Sequence, residues 1–165
     1  MRGTAMYKAD ELFEQSETLE LIGRPVRVLY FGHSSGPGDI AVFDPVGGVL
    51  FGGGLLDARR IPDIQDSDLA GWKKALGELA SLGAKTVVPG HDPAVSASAA
   101  IGGVERYLAQ LDSRVRHLVA AGTSLLDVPE AGELPEYEGW DQYDIIHRRN
   151  ASIAFLRFER ELMFK

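Results

Sequence analysis

The segment VRVLYFGHSSGPGD, residues Val26 to Asp39, decides the fold of this 165-residue chain. Apolar side chains fill consecutive positions up to Phe31, and a second apolar run, residues 40–43, follows the glycine-rich loop. Side chains alternate between the two faces of a strand, so both runs are apolar on both faces. Strands of that kind belong to sheets that are covered on both sides. The segment therefore predicts strands of a layered α/β protein.

Two later segments complete the pattern: VLFGGGLL, Val49 to Leu56, and TVVPGH, Thr86 to His91. Together the three segments resemble the second half of the metallo-β-lactamase superfamily, in the branch of glyoxalase II and the quinoprotein- and sulfur-oxidation-associated zinc hydrolases. The corresponding family patterns are Gly-x-x-His-Thr-x-Gly-Asp after a strand, Val-Leu-Phe-x-Gly-Asp, and Val-x-Pro-Gly-His. The resemblance extends from about residue 18 to residue 165, which corresponds to the C-terminal half of a full domain.

The resemblance implies a zinc site from which two of three expected ligands are missing. Aligned without gaps, Ser35 stands at the first histidine, Gly54 at the aspartate and His91 at the last histidine. A neutral hydroxyl binds zinc far less tightly than an imidazole, and glycine offers no side-chain donor. The earlier family segment His-x-His-x-Asp-His does not occur in this sequence. Zinc is therefore expected to be weakly held or absent.

His91 and His33 are the predicted metal-binding residues, and no catalytic residue is assigned. His91 is either a surviving ligand or an isolated acid–base group, or it caps a loop. His33 lies two residues before Ser35 and could turn into the vacated ligand position, or it is an ordinary loop imidazole.

Other polar residues have simpler expected roles. Asp39 is predicted to bond backbone amides of the glycine-rich loop before it. Asp57 could replace the missing carboxylate, but its register argues against this. His147 is expected to pack near the C-terminal helix, and His117 to lie on a helix surface.

Composition excludes several classes of function. A formal charge of −7 argues against a nucleic-acid or anionic-membrane surface. The absence of cysteine excludes disulfides and thiolate ligands. No apolar run reaches the roughly 20 residues of a membrane helix. We therefore expect a cytoplasmic protein that binds neither nucleic acid nor membranes.

Residues 1–17 are predicted to be a lead-in segment, followed by one half-domain over residues 18–165. The predicted fold is α/β, a mixed β-sheet with helices on one face, equivalent to half of a four-layer αβ/βα metallo-β-lactamase-like sandwich. Predicted strands cover residues 18–22, 26–31, 39–43, 49–51 and 86–88. The first helix is predicted to begin after an Asp66 or Ser67 cap and to close at Gly83. Two more are expected, with these apolar positions: Val104, Tyr107, Leu108, Leu111, Val115 and Leu118, then Ile145, Ile146, Ile153 and Leu156.

Three functions remain open. The first is a degenerate hydrolase module with weak or no activity on its own. The second is a working metal-dependent hydrolase of an ester, thioester or lactam, completed by an N-terminal half or a partner chain. The third is a non-catalytic domain that binds a small molecule or serves assembly.

The strands with apolar side chains on both faces also predict an assembly. The helices can cover one face of the sheet, and the chain has too few strands to form a second sheet over the other. We expect a homodimer, or a complex with an N-terminal half-domain. Its contacts would include Val28, Tyr30, Ile40 and Val42 or their opposite-face neighbours.

Overall fold

The computed structural model describes residues 7–10, 12–21 and 23–164. Ile22, predicted in the first strand, lies outside them. The strands are β1 (Glu17–Leu21), β2 (Arg24–Gly32), β3 (Asp39–Asp44), β4 (Val49–Gly53), β5 (Thr86–Pro89) and β6 (Val95–Ser96). The helices are α1 (Leu69–Ser81), α2 (Ala97–Ala120), the short α3 (Val128–Ala131) and α4 (Arg148–Met163). A 3-10 turn covers Pro135–Tyr137, and a π-helical turn covers Tyr143–His147.

The six strands form one mixed sheet in sequence order. β1 to β4 pair antiparallel, β4 and β5 pair parallel, and β6 pairs antiparallel to β5. The β3–β4 turn is held by the Asp44 carboxylate, which accepts from the amides of Val46 and Gly47. The parallel step needs a crossover, and α1 provides it. The predicted mixed sheet with flanking helices is confirmed.

The N-terminal cap of α1 differs from the prediction. Asp68, rather than Asp66 or Ser67, is the cap, and its carboxylate accepts from the Ala70 amide at 3.1 Å. Ser67 is buried and donates its hydroxyl to the Ile64 carbonyl, so it is committed to the preceding turn. The predicted Asp66 and Ser67 caps are therefore wrong.

The predicted apolar side of the last helix is also partly wrong. Ile145 is 66% exposed and Leu156 is 49% exposed. The π-helical turn makes a wider turn than an α-helix, so the phase of the side chains changes there. The residues buried along this part of the chain are Ile146, His147, Asn150, Ala151, Ala154 and Phe155.

The hydrophobic core lies between one face of the sheet and the helices. Trp72 and Leu76 of α1 are buried there, as are the predicted apolar residues of α2. The sheet contributes Leu29, Ala41, Phe43, Leu50 and Val87. The opposite face carries Ile40 and Phe51, which are 42% and 48% exposed. Helices therefore cover one face of the sheet, as predicted.

Within the described ranges, none of the helices is both long enough and apolar enough to cross a membrane.

Candidate active site

Three loops meet at one edge of the sheet. Strands β2, β4 and β5 all run in the same direction and end at Gly32, Gly53 and Pro89, respectively. The carboxyl ends of such strands form the usual ligand-binding edge of an open α/β sheet. The loops that follow, residues 33–38, 54–60 and 90–94, contain every residue that the resemblance places at a metal site.

Ser35 and Gly54, the two replaced ligand positions, face each other. A Cβ atom built on Gly54 would lie 3.6 Å from the Ser35 hydroxyl oxygen. Ser35 is half-buried and donates its hydroxyl to Asp39 Oδ2 at 2.7 Å. The space between these two positions is therefore lined by a hydroxyl already in use and by a residue without a side chain.

Asp39 holds the first loop in place. Its Oδ2 atom accepts from the Ser34 hydroxyl at 2.6 Å, the Ser35 hydroxyl at 2.7 Å and the Gly36 amide at 2.8 Å. Ser34 is fully buried, so its hydroxyl needs such a partner. The predicted loop-bonding role of Asp39 is confirmed.

Asp57 and His91 form a pair between the second and third loops. Asp57 is 8% exposed, and its Oδ1 atom lies 3.1 Å from His91 Nδ1 and 3.2 Å from the His91 backbone nitrogen. The His91 side chain is 58% exposed. Burial raises the pKa of the Asp57 carboxyl, and this effect exceeds the lowering by the His91 hydrogen bond. The carboxylate fixes the ring through Nδ1, so a further ligand of His91 would bind Nε2.

His33 has a different partner. Its Nε2 atom lies 2.7 Å from the Asp66 carbonyl oxygen, to which it donates in a neutral or charged ring. The first loop also packs against the start of α1, because the Asp68 amide donates to the Ser34 carbonyl at 2.9 Å. His33 would have to release Asp66 to use Nε2 as a ligand. Metal binding by His33 and His91 stays a prediction.

The residues present do not fit the dinuclear zinc centre that the resemblance implies. Zinc in proteins is held by three or four side-chain ligands. Across residues 7–10, 12–21 and 23–164, no group of three or more His, Asp or Glu side chains is placed to hold a metal ion. His91 Nε2 is the one donor that the aligned positions retain.

A buried polar network links α2 and α4 to residues 62 and 64, which follow the second loop. The Tyr107 hydroxyl donates to His147 Nδ1 at 3.1 Å and accepts from Asn150 Nδ2 at 2.9 Å. His147 Nε2 donates to the Gly132 carbonyl at 3.1 Å, and the ring stacks on Tyr143. Burial lowers the pKa of His147 and raises that of Tyr107. The predicted packing role of His147 is confirmed.

Asn150, three residues after His147, is the member of this network whose contacts the sequence does not predict. Its Oδ1 atom accepts from the Ile64 amide at 3.2 Å, and its Nδ2 atom donates to the Pro62 carbonyl at 2.6 Å. Asn150 thereby ties α4 to the segment between β4 and α1. The sequence offers little signal for this, because 86 residues separate Asn150 from Ile64.

A cavity of about 530 Å³ lies elsewhere, between the start of α1, α2 and the end of α4. Leu108, Val115, Arg157 and Phe158 are among its lining residues. It contains neither of the predicted metal-binding residues.

Comparison with known proteins identifies the family. The model of the Metallo-beta-lactamase superfamily matches residues 2–91. The Metallo-beta-lactamase type 2 of Bacteroides fragilis is 36% identical over 84 residues, which are 48% of this chain and 34% of that protein. The chain thus matches about a third of the length of this curated relative.

Solved structures agree on the fold. A metallo-beta-lactamase from Pontibacter korlensis is 27% identical, with a TM-score of 0.53 over 59% of this chain and 47% of that one. A metallo-beta-lactamase family protein from Thermus thermophilus is 22% identical, with a TM-score of 0.60 over 89% of this chain and 48% of that one. The match to the family model and the shared architecture lead to one conclusion: this chain belongs to the metallo-beta-lactamase superfamily and spans about half the length of these structural neighbours.

Proposed function

We propose that this chain is a metallo-β-lactamase-like hydrolase module with a degenerate zinc site and with weak or no hydrolase activity on its own. One observation carries the proposal. The Ser35 hydroxyl and Gly54 stand next to each other at the positions where the family pattern has histidine and aspartate.

The chemistry of Ser35 and Gly54 supports a loss of tight zinc binding. Zinc in hydrolases lowers the pKa of bound water to about 7, and catalytic sites hold the ion with three protein ligands. The Ser35 hydroxyl is already bonded to Asp39, and Gly54 brings no donor. A site left with His91 alone would bind a divalent metal weakly.

A second candidate function is favoured by the Asp57–His91 pair. Metal-binding histidines almost always bond through the other ring nitrogen to a carboxylate or a carbonyl, which orients the ring. Asp57 occupies that position on His91 Nδ1. Ligands supplied by an N-terminal half or a partner chain would then complete a metal-dependent hydrolase of an ester, thioester or lactam.

Zinc titration against a competing chelator tests the first proposal. The native chain should bind zinc weakly, and His91→Ala should weaken binding further, whereas the control His117→Ala, on the exposed surface of α2, should not. Ser35→His combined with Gly54→Asp should increase the zinc affinity only when an N-terminal half-domain is supplied. A Cβ at Gly54 is tolerated by the surrounding backbone, because the nearest atom outside its chain neighbours is the Ser35 hydroxyl oxygen at 3.6 Å.

Two results would contradict the proposal. Tight binding of two zinc ions by the native chain would show that the site is not degenerate. An unchanged zinc affinity in the double variant with the N-terminal half supplied would show that Ser35 and Gly54 do not determine the weak binding.

A further inference from the structure

The cavity of about 530 Å³ among the helices has the size and the lining of a small-molecule site. Such sites are typically concave, roughly 300–1,000 Å³ in volume, and they combine apolar walls with a few polar groups. The described residues that line this cavity come from the start of α1, from α2 and from the end of α4. None of them belongs to the loop edge or to the sheet face that carries Ile40 and Phe51.

The floor of the cavity is apolar and belongs to the core. Leu108, Leu111 and Val115 of α2 are 3%, 2% and 1% exposed, and Ala154 of α4 is 7% exposed. The three α2 residues are three and four positions apart, so they share one face of that helix. Phe158, one turn after Ala154, is half-buried and lines the same cavity. An apolar ligand group would therefore contact side chains that core packing already holds in place.

One of the three arginines at the cavity is compensated by neighbouring acids. Arg116 donates from Nε to Asp112 Oδ2 at 2.9 Å, and its guanidinium carbon lies 4.0 Å from the centre of the Phe158 ring. The hydrogen bond to Asp112 raises the pKa of Arg116, and the charge of Glu161 raises it further. Asp112 and Glu161, two of the three acidic residues that line the cavity, therefore both act on Arg116.

The other two arginines have no carboxylate partner among the described residues. Arg157 donates from Nη1 to the Ser67 hydroxyl at 3.3 Å and from Nη2 to the Gln65 carbonyl at 2.9 Å, and both acceptors are neutral. Arg160 lies three residues later, on the same side of α4. Asp68, the third acidic residue of the lining, caps α1 through its carboxylate. The pairing thus leaves two guanidinium groups beside the apolar floor.

We propose that this cavity binds a small amphipathic carboxylate, with the carboxylate on Arg157 and Arg160 and the aliphatic body on the apolar floor. A guanidinium presents a planar fork of N–H donors that matches the two oxygens of a carboxylate. It has five such donors, and Arg157 uses two of them toward Ser67 and Gln65. Arg157 can therefore bind a carboxylate without releasing the segment that precedes α1.

Isothermal titration calorimetry of the native chain with decanoate tests the proposal. One decanoate should bind per chain, and decylammonium, with the same chain length and the opposite charge, should bind roughly tenfold more weakly or not at all. Arg157→Gln and Arg160→Gln should each weaken decanoate binding roughly tenfold, because each removes a hydrogen bond to a charged group. The matched control Arg149→Gln should bind decanoate like the native chain. Arg149 is on the same helix, pairs with Asp63 and does not line the cavity.

A second measurement locates the ligand without any variant. In methyl NMR spectra of the native chain, decanoate should shift the signals of Leu108, Leu111 and Val115 and leave that of Ile40 unchanged. Circular dichroism checks that the arginine variants are folded, and if Arg157→Gln unfolds, Arg160→Gln and the spectra still decide. The proposal is overturned by an absence of saturable decanoate binding, by equal affinities for decanoate and decylammonium, or by an unchanged affinity in the folded arginine variants. Shifts that leave out the three cavity residues overturn it as well.

Discussion

At the level of single residues, His91 stands at the one aligned ligand position that keeps a histidine, and contacts within the fold orient its ring. Asp57 accepts from the His91 backbone and contacts its ring, so the ring orientation is set without any metal. The other two aligned positions have no comparable support for a ligand. Ser35 serves the loop through Asp39, and Gly54 has no side chain. Hydrogen bonds within the fold thus account for the geometry of this edge.

The pH dependence of stability should report the burial of His147. Its pKa is lowered by burial, so below about pH 6.5 the unfolded chain binds a proton that the folded chain resists. The stability contributed by neutral His147 is therefore present above about pH 6.5 and is lost as the pH falls below it. Urea unfolding of the native chain at pH 7.5 and 5.5 should show this loss.

Two variants isolate the effect of His147. His147→Gln should be less stable at pH 7.5 but should lose less on going to pH 5.5, because the titrating group is gone. His117→Gln, on the exposed side of α2, should keep the native pH dependence. An equal loss of stability between pH 7.5 and pH 5.5 in all three proteins would contradict the assignment of the pH dependence to His147.

Asn150→Ala should destabilise the fold by about 2–4 kcal/mol. The change leaves the buried Ile64 amide and the Pro62 carbonyl without partners, and each such group costs roughly 1–3 kcal/mol. Ser152→Ala, on the same helix, removes a weaker bond of 3.3 Å to the Arg148 carbonyl and should cost less than about 0.5 kcal/mol. Equal unfolding free energies for these two variants would refute the network.

The sequence predicts which loops lie together better than it predicts the contacts between them. The three segments ending at Asp39, Leu56 and His91 were predicted to act together, and their loops do meet at one edge. The sequence argues against Asp57 as a replacement ligand and gives no sign of its contact with His91. That contact depends on the parallel pairing of β4 with β5, which brings residues 34 positions apart together. A pairing between strands cannot be read from the alternation within each one.

At the level of elements, the start of α1 shows how local chemistry fixes a boundary. Asp68→Ala should cost about 1 kcal/mol, the usual value of a lost N-terminal cap. Asp66→Ala should be close to neutral, because the structure uses the Asp66 carbonyl and not its carboxylate toward His33. Thermal unfolding of both variants is the measurement. A larger loss of stability for Asp66→Ala than for Asp68→Ala would support the helix cap predicted from the sequence.

The last helix shows why some of the fold could not be predicted. The sequence predicts apolar side chains at a 3.6-residue period along the last helix, but the π-helical turn Tyr143–His147 interrupts that period. Ile145 consequently points to solvent, whereas His147 and Asn150 are fully buried. Two polar residues thus occupy positions that a hydrophobic pattern assigns to apolar side chains. Tertiary hydrogen bonds decide this, and hydrophobic periodicity carries no information about them.

At the scale of the whole molecule, the chain combines a continuous core with a second face of the sheet that is partly exposed among the described residues. The core between the sheet and the helices is continuous, from Leu29 to Phe155. On the other face of the sheet Ile40 and Phe51 are partly exposed, and at the loop edge Ser35 and Gly54 face each other.

Elemental analysis of the purified native chain tests the central claim most directly. The chain should be expressed with zinc in the medium and purified without chelator, beside His91→Ala and His117→Ala as matched variants. A degenerate site predicts well under one zinc per chain in all three proteins. Two zinc ions per native chain, or one that disappears in His91→Ala and persists in His117→Ala, would contradict the claim and establish a working metal centre.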